Sequence, residues 1–117
     1  AEIDRVLRDH RSGEVFPIDR ALLDQLDRLG ALLGTGGRPF HVISGYRSPA
    51  TNATLAARSG AVATRSLHMS GRAIDIRMPG ASLATVHRAA LSMAAGGVGL
   101  YPRSDFVHLD TGRVRTW

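Results

Sequence analysis

The chain has 117 residues, 44% of them hydrophobic and 21% charged, the size and balance of one folded domain with a modest core. It has no apolar run of the roughly 18 residues that span a membrane, and no cysteine, so any metal must be held by nitrogen and oxygen ligands. The formal net charge is +5, and all 15 basic residues are arginine. That usage reads either as a base-rich genome or as attraction to an anionic polymer, nucleic acid or cell-wall material. The charges are scattered, with no basic cluster interleaved with aromatics, which argues against nucleic acid. No signal peptide is visible, and a start at Ala1 in place of Met fits removal of an upstream segment.

Residues 1–16 carry a weak helical pattern, Ile3, Val6 and Leu7 sharing a face until "RSGE" breaks it. Residues 17–33, "PIDRALLDQLDRLGALL", predict the clearest helix. Leu22, Leu26, Leu29 and Leu33 form its stripe, widened by Leu23 and Leu32. Pro17 sits outside its start, Asp19 lies near its positive end, and "GTGG" stops it. "FHVISG", 40–45, reads as a strand. "YRSPATN" turns into a short helix over about 51–58, and "SGAVATRS" is a loop.

"RAIDIRM", 72–78, alternates: Ile74 and Ile76 face one way, Ala73, Asp75 and Arg77 the other. "PGASLATVHRAALSMAAGG" predicts a second helix, capped by Ser82, with Leu83, Val86, Ala90 and Met93 or Ala94 inward. "GVGLY" and "DFVHLD" read as a hairpin joined by "PRS", and "GRVRTW" adds a last edge strand. The order predicts an α+β fold, a single domain over 1–117 with helices packed against a small, mainly antiparallel sheet.

Asp75 stands between two isoleucines, and a buried carboxylate is costly unless it is paired, hydrogen-bonded or bound to a metal. His68, in the polar loop before this strand, and His108, in a later strand, supply two imidazoles. Three nitrogen and oxygen ligands with an open fourth position describe a catalytic zinc site, and the mixture suits zinc better than calcium. His87, in mid-helix, and His10, in a turn, read as surface or structural residues, whereas His41 starts a strand that can face the site. Strand periodicity puts Asp110 on the face of His108, as a carboxylate bonded to its imidazole, and Asp105 on the opposite face. Asp105 can act as a base only if the chain turns at 104–106. Arg47, directly after a strand, can steady an oxyanion or clamp a carboxylate, and Ser44, Tyr46 and Tyr101 offer hydrogen bonds at the cleft.

Three segments in this order, "SGYRSPATN", "SLHMSGRAIDI" and "GVGLYPRSDFVHLDTGRVRTW", resemble the zinc peptidases of the D-alanyl-D-alanine carboxypeptidase and dipeptidase superfamily, the LAS-type metallopeptidases. In that group S-x-H-x-x-G-x-A-x-D carries two zinc ligands, and Ser66, His68, Gly71, Ala73 and Asp75 match every named position. The acid-x-x-His motif maps to Asp105 and His108, and the arginine after the S-G-[YF] turn maps to Arg47. The opening "IDRVLRDHRSGEVFPID" extends the likeness to the small MepK-like murein endopeptidases and so to nearly the whole chain. One position departs: the better-known carboxypeptidases and dipeptidases use glutamate as base, and Asp105 is one methylene shorter.

The resemblance implies one zinc ion held by His68, Asp75 and His108, with Asp105 as general base and Arg47 at the developing oxyanion. Ser44, Tyr46, Ser66, Tyr101 and Asp110 are expected to bind substrate or support the ligands. The implied reaction is hydrolysis of an amide in peptidoglycan cross-links. The alternatives are D,D- or L,D-carboxypeptidase or dipeptidase action on wall peptides, and a non-catalytic zinc-containing wall-binding module. The expected partner is peptidoglycan peptide, not nucleic acid. A monomer placed outside the bacterial cytoplasmic membrane is expected.

Overall fold

Alternation along the central strands gives this protein a sheet with two unlike faces. In the computed structural model, which describes residues 2–34, 39–58 and 66–117, the helices are α1 (Glu2–Val6), α2 (Arg20–Leu33), α3 (Pro49–Arg58) and α4 (Leu83–Met93). The strands are β1 (His41–Ser44), β2 (Ala73–Arg77), β3 (Gly97–Tyr101), β4 (Phe106–Asp110) and β5 (Arg115–Thr116), and a 3₁₀ turn, Leu67–Ser70, precedes β2. The strands form one sheet in the order β1-β2-β4-β3-β5, antiparallel except where β5 runs parallel to β3. The α+β plan expected from the sequence is the one observed.

Register explains the two faces. Ile74 pairs with Leu109, which pairs with Val98; Ile76 pairs with Val107, which pairs with Leu100. These side chains join Leu22 and Leu29 of α2 and Val86 and Ala90 of α4 in the core. Ile74, Ile76, Val107 and Leu109 have no exposed surface, and each contributes about 1.5–3 kcal/mol by burial. The opposite face carries Asp75 against His108, Ala73 against Asp110, and Gly99 against His108 from the far side. One strand period thus sends the apolar set to the helices and the polar set to a cleft.

The helices start where their caps dictate. Asp19 accepts from the Ala21 N–H at 3.0 Å, so α2 begins at Arg20, and Gly34 in the left-handed conformation (φ 62°) ends it. Its buried stripe is Leu22, Gln25 and Leu29, with Leu23, Leu26 and Leu33 packed beside it, whereas Leu32 is exposed. Gln25 takes the central place because its amide donates to the carbonyls of Ala95 (3.0 Å) and Asp110 (3.1 Å). In α1, Leu7 just past the helix is buried but Ile3 and Val6 are exposed, so the expected face is only partly used. Helix α3 begins two residues earlier than expected, at Pro49, which needs no N–H donor there. Ser82 caps α4 as expected. The loop expected at 59–65 and the glycine stop at 35–37 lie outside the described residues.

Strand β1 holds a feature that alternation does not announce. His41 pairs with Arg77 and Val42 with Ile76, but Ser44, not Ile43, pairs with Asp75. Ile43 is the extra residue of a β-bulge, and in the segment that follows the Tyr46 and Arg47 N–H groups donate to the Leu7 and His68 carbonyls.

Candidate metal centre

The "SLHMSGRAID" segment folds as a sequence of local constraints. Ser66 caps the 3₁₀ turn by accepting from the His68 N–H at 3.1 Å. Gly71 ends the turn at φ 67°, where a Cβ would run into the Pro17 carbonyl, so only glycine fits. Ala73 is fully buried, and Asp75 follows on the cleft face of β2. The motif positions are therefore a cap, a cleft-facing imidazole, a left-handed stop, a tight packing site and a cleft-facing carboxylate.

His68, Asp75 and His108 are all buried, and one ligand atom from each lies within 4.8 Å of the others. The far side of each imidazole is fixed. His68 Nδ1 donates to the Gly45 carbonyl at 2.7 Å, and His108 Nε2 donates to Asp110 Oδ2 at 2.7 Å. The inner nitrogens, His68 Nε2 and His108 Nδ1, then turn towards the same oxygen, Asp75 Oδ1, at 3.2 and 3.0 Å. In neutral imidazoles these are lone pairs facing a carboxylate oxygen. Three acceptors converging on one point require a cation, a proton or a metal, and two nitrogens with one carboxylate suit a zinc-like divalent ion.

The electrostatics agree. Burial pushes the Asp75 carboxyl up, but the charge and hydrogen bonds of His68 and His108 outweigh it and hold the group well below the usual range. Burial pulls His108 down, yet Asp110 and Asp75 more than reverse this and raise it. Asp110 follows the same logic: burial raises it, while His108, Arg115 and the Gly97 and Gly112 N–H groups bring it well down.

The cluster lies in a cleft of about 690 Å³. Ser44, Tyr46, Arg47, Ser66, Tyr101 and Asp110 all line it. Arg47 is 9% exposed. Its Nη1 donates to Asn52 Oδ1 at 3.2 Å and its Nη2 lies 3.9 Å from Asp75 Oδ2, but its buried Nε has no hydrogen bond. The guanidinium thus lies beside the cluster, Nη2 nearest Asp75 and Nε buried behind. Burial lowers the Arg47 pKa, only partly offset by Asp75. His41 is exposed and does not line the cleft; His10 is exposed and His87 half-buried.

Asp105 occupies the turn between β3 and β4, not β4 itself, with φ 56°. The turn takes Asp105 out of the alternation of β4. Its side chain, however, is 63% exposed and lies 3.6 Å from Arg77 Nε, outside the cleft lining. The described acids that do line the cleft are Asp9, Asp75 and Asp110, each already bonded.

Sequence reasoning missed Asp9, Asn52, Arg115 and Trp117. Asp9 is buried and accepts from the N–H groups of Arg11 (2.8 Å), Ser12 (3.1 Å) and Ser48 (2.8 Å). With the Tyr46 N–H donating to the Leu7 carbonyl at 2.8 Å, it ties the N-terminal turn to the loop that carries Arg47. The one signal in the sequence was "DHRSG", a typical Asx-turn string.

A family profile described as "Peptidoglycan L,D-endopeptidase MepK" matches residues 1–117. The Escherichia coli K12 protein of that name is 51% identical over 117 residues, which cover 100% of this chain and 64% of the relative. The Shigella flexneri protein gives the same values. A Haemophilus influenzae "Probable peptidoglycan L,D-endopeptidase MepK" is 42% identical over 116 residues, 99% of this chain and 62% of its own length. The chain therefore spans less than two thirds of the curated relatives it matches. With a profile matched from end to end and half the residues shared, the chain belongs to the MepK family of peptidases.

Proposed function

We propose that residues 1–117 form one catalytic domain of a zinc-dependent peptidoglycan hydrolase, a murein endopeptidase that cleaves an amide bond in cell-wall peptide cross-links. The observation that carries the reading is the convergence of His68 Nε2, Asp75 Oδ1 and His108 Nδ1 on one point in a cleft. Family membership supplies the substrate class, and the +5 charge suits an anionic wall polymer. The same substrate places the enzyme in the periplasm or elsewhere outside the cytoplasmic membrane. Among the described residues no helix is long and apolar enough to cross one. The working unit is a monomer, and nucleic acid is not a partner.

His68, Asp75 and His108 would hold one zinc ion, whose Lewis acidity supplies water activation near neutral pH. Arg47, whose Nη2 lies beside the cluster at 3.9 Å from Asp75 Oδ2, stabilises negative charge as it develops on the scissile carbonyl oxygen. Asp105 takes the proton from the attacking water and returns it to the leaving amine. Its exposed carboxylate leaves Arg77 to do so, and its neighbours Ser104 and Phe106 already line the cleft. Ser44, Tyr46, Ser66 and Tyr101 shape the cleft for the peptide, and Asp110 holds His108 from behind.

The test is incubation of the zinc-loaded protein with isolated muropeptides and identification of the products by mass spectrometry. Cleavage of cross-linked dimers supports the endopeptidase. Release of a terminal residue or dipeptide alone indicates carboxypeptidase or dipeptidase action, and no cleavage with zinc bound indicates a wall-binding module. Asp105→Ala should abolish cleavage with zinc retained, and parental turnover in that variant removes Asp105 as the base.

A further inference from the structure

Strand β3 places two glycines, Gly97 and Gly99, on the cleft face. A Cβ on Gly99 would lie 2.5–2.8 Å from three atoms of the Trp117 indole. A Cβ on Gly97 would collide with the Arg115 guanidinium and the Asp110 carboxylate. The two glycines therefore leave a trench across the strand, and Arg115 and Trp117 fill it. β5 locks them there: Gly97 pairs with Arg115, the Trp117 N–H donates to the Val98 carbonyl at 3.1 Å, and the Leu100 N–H donates to the Trp117 carbonyl at 2.8 Å. A strand that only closed the sheet would need no such gap.

What the two side chains touch is specific. Arg115 gives Asp110 a two-point fork, Nη1 to Oδ1 at 2.9 Å and Nη2 to Oδ2 at 2.8 Å. Its guanidinium carbon lies 4.9 Å from the Trp117 ring centroid. The indole lies 5.0 Å from the His108 ring, and its Nε1 donates to Tyr101 Oη at 2.7 Å. Asp110 accepts from His108 Nε2. The contacts close a ring that runs His108, Asp110, Arg115, Trp117 and back to His108.

We propose that Arg115 and Trp117 are positioning residues that hold the His108 imidazole with Nδ1 turned into the metal cleft. The inference rests on the metal-site reading given above. With both carboxylate oxygens pinned by Arg115, Asp110 cannot swivel away from Nε2–H. With the indole beside the ring, His108 cannot turn over to offer Nε2 in place of Nδ1. Side chains that orient a histidine ligand in this way set metal affinity without touching the metal.

The experiment measures zinc affinity by competition with a chromophoric chelator, the visible spectrum of the cobalt-substituted protein, and the His108 tautomer by ¹⁵N NMR of the metal-free protein. Arg115→Gln and Trp117→Ala should each weaken zinc binding about 10–100-fold and alter the cobalt spectrum. Trp117→Phe, which keeps a ring beside His108, should recover most of the loss. The double variant should lose less than the product of the single losses, because both act on one ring. Arg115→Lys keeps the charge and loses the fork, so it should still admit the other His108 tautomer; it also serves if the larger truncations fail to fold. Parental zinc affinity and tautomer in folded Arg115→Lys, together with parental affinity in any folded truncation, overturn the proposal, as do fully multiplicative losses in the double variant. If the parent protein itself binds no zinc, the hydrolase reading fails, while the metal-free tautomer measurement still decides the positioning role.

Discussion

Replacing Asp9 with alanine tests whether the N-terminal turn holds the cleft together. The Asp9 side chain is 2% exposed, and the Ser48 N–H it binds belongs to a residue 1% exposed. Losing the carboxylate leaves that donor buried and bare, at about 1.5–3 kcal/mol for a bond to a charged group. The Arg11 and Ser12 donors belong to exposed residues, can turn to water, and add about 0.5 kcal/mol each. The expected loss for Asp9→Ala is then about 2.5–4 kcal/mol, a large share of a typical domain's stability. At about 2.1 cal/mol/K per residue, the unfolding entropy of 117 residues converts this to a drop of about 10–16 °C in Tm.

The pH dependence gives a second handle on the same residue. Burial raises the Asp9 carboxyl, but hydrogen bonds from Ser48, Thr51, Ser12 and Arg11 outweigh it and hold it well below the ordinary value. A folded pKa below the unfolded value of about 3.9 means the contribution is complete at neutral pH and is lost as pH falls below about 5 towards the folded value. Calorimetry of parent and variant at pH 7 and pH 3 should therefore show the gap narrowing in acid. A gap under about 0.5 kcal/mol at pH 7, or one that does not shrink at pH 3, refutes the reasoning.

Three further outcomes follow from the geometry. Zinc at about 100 times its Kd should stabilise the protein by about 2.7 kcal/mol, seen as a rise of about 10 °C in Tm; a chelator should reverse it, and His108→Ala should abolish it. Gly71→Ala forces a left-handed side chain into the Pro17 carbonyl, so a loss of about 2 kcal/mol or more is expected in urea titration. Gln25→Leu strips the Ala95 and Asp110 carbonyls of their donor and should lower the unfolding free energy by about 1–3 kcal/mol in urea titration, as a lower midpoint at unchanged m-value.

The sequence shows most clearly what depends on short repeats. The two-residue alternation of "RAIDIRM" separated the isoleucines from Asp75, and the same rule put His108 and Asp110 on one face, where they hydrogen-bond. Caps at Asp19 and Ser82 were legible for the same local reason. The bulge at Ile43 was not, because it is defined by pairing with a strand more than thirty residues away. Asp105 faces Arg77 because of a left-handed turn that "PRSD" permits but does not dictate. The roles of Asp9, Arg115 and Trp117 arise only when both chain ends reach the cleft, and no local pattern encodes that meeting.

Because strand β4 alternates Val107, His108, Leu109 and Asp110 between helices and cleft, sliding it by a single position would drive leucine among the would-be ligands and imidazole into oil. No mispaired version can remain both well packed and able to seize an ion. On the proposed zinc site, metal capture would accordingly report on the molecule's own correct assembly, and a titration with zinc would count the properly threaded fraction of any preparation.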